Sequence, residues 1–171
     1  MNEIEIKLSR GKTALIDEID EDLTKLKWCT NQFGRETSKV WYALRKGPER
    51  DGKQTSTLMH RVILERILGR KLEKGEQCDH INHDGLDNRR NNIRLATKQE
   101  NNRNMSKSRS NKTSKYKGVY WHADRNKWRA RIVINEKSKS LGYFINEKEA
   151  AKAYNNAATE LFGEFAKLNE V

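Results

Sequence analysis

The chain has 171 residues, with 35 Lys and Arg against 24 Asp and Glu, a formal charge of +11 and 35% hydrophobic content. That leaves room for one or two domains with a modest core. No apolar run approaches the ~20 residues of a membrane span, and Cys29 and Cys78 are too few and too far apart for a four-thiolate zinc site or a disulfide framework. The start, Met1-Asn2-Glu3-Ile4-Glu5, has no hydrophobic signal core, so secretion is not expected and both thiols are expected reduced.

The charge is uneven. Residues 1–58 are net +1, residues 59–102 net +2 and residues 103–171 net +8. From Arg103 to Asn146 twelve basic side chains face only Asp124 and Glu136. A surface charged merely for solubility would mix its signs, so the last third is the main candidate for binding a polyanion, with nucleic acid the default partner.

In chain order, Ile4, Ile6 and Leu8 alternate with polar residues as in a half-buried strand, and Thr13–Ile16 reads as a second one. Asp20-Glu21-Asp22 suits the start of a helix running to about Lys27. Trp28–Gln32 and Val40–Arg45 read as strands of a small sheet, followed by a polar loop from Gly47 to Thr55. Met59–Leu68 has helical spacing and Gly69 suits its C-terminal cap. Residues 76–81 read as extended and Asp84-Gly85 as a turn. Thr97 and Glu100 form a capping box for a short helix. Residues 105–113 have no apolar periodicity and read as a basic flexible linker. Beyond it come three strand-like runs, Tyr116–Trp121, Lys127–Ile134 and Ser138–Phe144, then a helical run, Glu147–Phe162.

Residues 79–101 concentrate acid, imidazole and amide groups among few apolar ones. A carboxylate can hold a hard cation and an imidazole can take a proton near neutral pH. Phosphodiester hydrolysis needs both. The competing reading is a polar loop held by Asx turns at Asp84-Gly85 and Asp87-Asn88.

His60-Arg61, Asp79-His80-Ile81-Asn82, Asn88-Arg89-Arg90-Asn91-Asn92-Ile93-Arg94, Thr97 and Glu100-Asn101 resemble the HNH homing endonucleases of the ββα-metal fold. Leu8–Lys12, Ala14–Asp17, Trp28 and Tyr42-Ala43 extend the likeness to the N-terminal part of phage and intron-encoded members, so it covers nearly all of residues 1–104. The resemblance implies His80 as general base, Asn92 as the group that orients it, and Asp79 and Asn101 as ligands of one divalent ion, magnesium with manganese as the alternative. It also implies a cytoplasmic protein of a bacterial or phage-infected cell, acting as a monomer or weak dimer. His83 departs from the usual family residue and reads as an exposed loop position. His60 reads as packing or phosphate contact, with packing preferred.

Tyr116-Lys117-Gly118-Val119, Lys127–Ile132, Leu141–Phe144, Glu149–Tyr154 and Gly163–Asn169 resemble the plant ethylene-response-factor (Apetala-two) DNA-binding domain. The resemblance implies a three-stranded sheet laid in the major groove with the helix behind it. Lys117, Tyr120, His122, Arg129, Arg131, Ser138, Lys139 and Ser140 then fall at or beside contact positions. Several are not the plant residues, so the plant target sequence is not inherited. Alternation along Trp128–Ile132 agrees independently: Trp128, Ala130 and Ile132 face the helix, Arg129 and Arg131 face out. Trp121 reads as core, and Tyr120 stays open between core and contact.

The expected fold class is α+β: a small N-terminal sheet and a ββα-metal nuclease module (residues 1–104, its core about 59–104), then a three-stranded antiparallel sheet packed on one helix (114–171). The expected function is a metal-dependent, site-specific endonuclease for double-stranded DNA. The rivals are a non-catalytic DNA-binding regulator, against which Asp79, His80, Asn92 and Asn101 all count, and an RNA-binding protein, for which no aromatic pair of an RNA-recognition sheet is evident.

Overall fold

Alternation of Ile4 and Ile6 with glutamates produces β1 (Glu3–Lys7), which pairs antiparallel with β2 (Thr13–Asp17) from Glu3 opposite Asp17 to Lys7 opposite Thr13. The computed structural model describes residues 2–34, 39–104 and 113–171, and the chain divides into two units, 1–101 and 102–171. The expected linker at 105–113 lies, except for Thr113, outside the described residues.

In the first unit the acidic stretch after β2 forms 3₁₀ helix over Glu18–Lys25, two residues earlier than expected. The reason is tertiary. Asp20 is fully buried, and its carboxylate accepts from Arg66 Nη1 at 2.9 Å and from Arg90 Nε at 2.7 Å. Asp17 Oδ2 accepts from the Arg90 amide at 2.7 Å, and Arg66 also forks onto Asp22. These bonds clamp the segment to the helix and loop that follow.

A second sheet has the order β3 (Cys29–Phe33), β4 (Val40–Arg50), β5 (Lys53–Leu58), all antiparallel. This corrects the polar loop expected over Gly47–Thr55. The Asp51-Gly52 pair, with φ of 50° and 69°, makes a tight hairpin, and Pro48 is accommodated at a register shift between Lys46 and Glu49. Helix α1 (Met59–Leu68) ends at Gly69 in the left-handed conformation. Its buried face is Met59, His60, Ile63 and Leu64, while Ile67 is exposed. These side chains join Ile6, Leu8, Ala14, Ile16, Leu23, Trp28, Ala43 and Ile93 in one core; each large aliphatic so buried contributes ~1.5–3 kcal/mol.

Strands β6 (Glu76–His80) and β7 (Ile93–Thr97) pair antiparallel, and helix α2 (Lys98–Asn104) follows directly. The capping box forms: Glu100 Oε2 accepts from the Thr97 amide at 2.7 Å, and Thr97 Oγ1 accepts from the Glu100 amide at 3.3 Å.

In the second unit β8 (Val119–His122), β9 (Lys127–Ile134) and β10 (Lys137–Phe144) form an antiparallel sheet in the order β10-β9-β8, covered by α3 (Glu147–Phe162). The core is built from small residues of α3 (Ala150, Ala151, Ala158) with Tyr154, Val119, Ala130 and Ile132. Small side chains bring the helix close to the sheet. Gly118 is required there: its φ is 76°, and a Cβ would collide with the Tyr154 ring and the Arg131 carbonyl. Asn169 fastens the C-terminal segment, its amide bonding both backbone groups of Lys117 while its own backbone pairs with the Asn155 side chain.

Candidate active site and nucleic-acid interface

His80 ends β6 and is buried, 5% exposed. Its ring lies 5.0 Å from His60, edge to face, and 5.8 Å from Tyr42, which itself contacts His60 at 5.1 Å. The three rings are brought together because β4, α1 and β6 all border the core. Burial pushes the His80 pKa down. The buried Asn88 side chain and the carboxylates of Asp79, Asp84 and Asp87 work against that shift. The imidazole is therefore neutral, and a competent proton acceptor, at neutral pH. Burial, with His80 and Arg61 nearby, also pushes His60 down, to about 3. His60, read as packing or phosphate contact, is thus a buried neutral neighbour of His80. Tyr42 and Asn88 are neighbours of His80 that sequence reasoning did not single out for the site.

Asp79 is buried, and across the β6–β7 pair it faces Arg94, whose Nε and Nη2 reach Oδ2 at 2.9 and 2.8 Å. Arg94 fixes the carboxylate's orientation; the sequence motif contained it without marking this role. Asn101, on α2, donates through Nδ2 to Gln77 Oε1 at 2.9 Å. Gln77 lies two residues before Asp79 on β6 and so on the same face of the strand. Carboxylate and amide oxygens suit a hard divalent cation that keeps water and substrate oxygens as its other ligands. Two other kinds of site fit less well. The Cys78 thiol is pushed up to about 12 by burial and its Sγ donates to the His60 carbonyl, so it is a poor soft ligand. Among the described residues no three His, Cys, Asp or Glu side chains converge.

The loop 81–92 between these strands is internally bonded. Asn92 Nδ2 donates to Asn82 Oδ1 at 3.0 Å and to the Asp87 carbonyl at 2.7 Å, and Asn92 Oδ1 accepts from the Asn82 amide at 3.0 Å. The expected bond from Asn92 to His80 is replaced by these, so Asn92 shapes the loop that follows His80. The Arg89 guanidinium forks onto Asp87, at 2.8 and 2.7 Å, and holds its carboxyl below the usual carboxylate range. His83, expected exposed, is half-buried, with φ of 68° in the turn after β6.

On the second unit's sheet the register decides which residues share a face. Arg129 faces Tyr120 on one side and Tyr143 on the other, Arg131 faces Ser140, and His122 faces Lys127. The Arg129 guanidinium lies 5.7 Å from the Tyr120 ring and 5.5 Å from that of Tyr143. Arg131 lies 5.0 Å from Tyr120, and Arg125 lies 4.4 Å from Tyr143. His122 packs edge-on to Tyr143 at 5.3 Å, and Ser140 Oγ accepts from Arg129 Nε at 3.3 Å. Ser138 shares this face, opposite the exposed Val133. A register shift between Ser140 and Gly142 turns Leu141 toward the core and returns Tyr143 to the arginine face. Tyr120 is thereby placed on the arginine face, whereas Trp121 and Trp128 pack together on the helix side at 5.1 Å.

Two expected contact residues stand apart. Lys139 is opposite Ile132, so it belongs to the helix-facing side of edge strand β10. Lys117 is half-buried, its ammonium donating to the Arg103 carbonyl, and burial pushes its pKa down to about 8.

The HNH endonuclease family profile matches residues 57–103, which contain α1, β6, β7 and most of α2. An uncharacterised HNH endonuclease of Acanthamoeba polyphaga mimivirus is 40% identical over 113 residues, 66% of this chain and 57% of that protein. Protein 3.8 of Escherichia phage T7 is 33% identical over 97 residues, 57% of this chain and 78% of that protein. The chain thus spans little more than half the length of the mimivirus relative. No solved structure matches the chain. No described helix is long and apolar enough to cross a membrane.

Proposed function

Since the chain carries an HNH endonuclease domain over residues 57–103, we propose that it is a metal-dependent, site-specific endonuclease for double-stranded DNA, of the homing type. Its cutting centre is a ββα-metal module at about residues 59–104. The sheet and helix of about 114–171, of the Apetala-two kind, read the neighbouring major groove, and the basic linker at 105–113 joins them. The observation that carries the reading is the junction of β6 with its loop, where a neutral, buried imidazole and an arginine-held carboxylate stand side by side in the chain.

His80 accepts the proton of the water that attacks the scissile phosphate. His60 and Tyr42 wall its ring on the protein side. Asp79 and Asn101 would hold one divalent cation, magnesium or manganese, and Arg94 keeps the Asp79 carboxylate aimed. When bound, that cation supplies charge neutralisation at the phosphate and at the departing 3′ oxygen. Asn92 acts through the loop, holding Asn82 and Asp87 so that the strand end carrying His80 keeps its path. In the second module Arg129, Arg131, Tyr120, His122, Ser138 and Ser140 are the contact set, supported by the stacking of their guanidinium groups on tyrosine rings.

The test is conversion of supercoiled plasmid carrying candidate genomic DNA, with magnesium, with chelator, and with His80→Ala. Metal-dependent nicking that is lost in His80→Ala supports the reading. Salt-sensitive DNA binding without cleavage on every DNA pool tried replaces it with a DNA-binding regulator.

A further inference from the structure

We propose that Arg10, Lys12 and Trp41 form a phosphate-binding contact through which the first unit grips the backbone of duplex DNA on its own account, independently of the arginine face of the second unit. The inference rests on the reading of the chain as a DNA nuclease and adds a substrate contact that neither the motif nor the charge distribution indicated. Residues 1–58 carry almost no net charge.

Arg10 and Lys12 flank Gly11 in the short turn between β1 and β2. The turn is closed by the Leu8 amide donating to the Lys12 carbonyl at 2.8 Å. It is tied to the second sheet by the Thr30 amide, which donates to Ser9 Oγ at 3.0 Å. Arg10 has a φ of 61°, a left-handed conformation unfavourable for a non-glycine residue, so the turn is held by its surroundings. The fixed turn puts both cations 5.5 Å from the centre of the Trp41 ring.

Two like charges on one indole repel each other, and the ring quadrupole offsets only part of that cost. Neither cation has a carboxylate partner among the described residues, whereas Arg66, Arg89, Arg90 and Arg94 of the same unit are all neutralised by aspartates. A phosphate group is the partner that relieves the repulsion, and the indole keeps the two cations together while it is absent.

The location ties this surface to the cutting centre. Strand β5 begins its pairing with β4 at Leu44, which leaves Val40–Ala43 open on that side. The loop after His80 docks there, with Gly85 so close to the Trp41 carbonyl and the Tyr42 ring that no Cβ would fit. Tyr42 in turn touches His80. The cation pair therefore sits on the strand that supports the catalytic loop.

The experiment follows the affinity of the full chain for a labelled random-sequence DNA duplex across a salt series, in chelator so that cleavage plays no part. The Arg10→Ala/Lys12→Ala variant is expected to bind several-fold more weakly and to lower the slope of log affinity against log salt by about 1–2. The charge-conserving Arg10→Lys/Lys12→Arg variant is expected to retain binding. An unchanged slope and affinity in the alanine pair overturns the inference. So does an equal loss in the charge-conserving pair, which would trace the effect to packing. Failure of the nuclease reading is seen separately, as absence of cleavage by the wild-type chain in magnesium.

Discussion

The two units handle charge in opposite ways. In residues 1–101 three buried aspartates are each met by arginine side chains: Asp20 by Arg66 and Arg90, Asp79 by Arg94, Asp87 by Arg89. On the sheet of the second unit the arginines lie over tyrosine rings and remain open to an anion. Buried, paired charge fixes geometry, as Arg94 does for the Asp79 carboxylate. Exposed, stacked charge is available for binding but fixes little. The first arrangement suits the proposed catalytic loop, and the second suits the proposed DNA-binding surface. The Arg10–Lys12 turn is the place where the first unit uses the second unit's device.

The comparison is broken most sharply at His80. His80→Ala is expected to lower the cleavage rate by about 10²–10⁴-fold while leaving duplex affinity in chelator unchanged, measured by plasmid nicking and anisotropy. Removing the keystone of the buried charge lattice comes next. Asp20→Ala leaves two arginines facing a buried gap and is expected to cost about 3–5 kcal/mol of stability, read from denaturant unfolding of the full chain. In the second unit the matching weak point is a packing contact. Gly118→Ala meets the Tyr154 ring and is expected to cost about 1–3 kcal/mol and to lower duplex affinity.

A pH titration sharpens the contrast further. His60 has a native pKa of about 3 against 6.5 in the unfolded chain, so between these values only the unfolded state binds the extra proton. Its contribution is fully present above pH 6.5 and is lost as pH falls toward 3, at up to about 1.4 kcal/mol per pH unit. His60→Phe is expected to flatten that part of the stability profile. The smallest effect is at the arginine face proposed to contact DNA: Arg131→Ala is expected to lower the salt slope of duplex binding by about 1, with cleavage of bound DNA preserved.

Local chemistry made part of this legible in advance. The Glu147–Phe162 helix, the α1 cap at Gly69, the Thr97–Glu100 box and the facing of Arg129 and Arg131 follow from spacing and capping, which are properties of neighbouring residues. The Asp51-Gly52 hairpin was equally local, but Gly47-Pro48 masked it, because a proline can sit in a strand at a register shift. What neighbours do not determine is which partner a polar group chooses across the fold. Asn92 bonds the loop rather than His80, Lys139 falls on the far face after strand pairing, and Lys117 is drawn inward.

By itself, then, the sequence determined most of the elements (the β4–β5 hairpin excepted), the HNH signature with Asp79 and His80 adjacent, and the basic character of the last third, because these depend on order along the chain. Only the tertiary structure decided that His60 and Tyr42 wall His80, that Arg94 holds Asp79, and that Arg10 and Lys12 meet over Trp41. Those contacts join residues 15 to 38 positions apart, and sheet register and core packing bring them together.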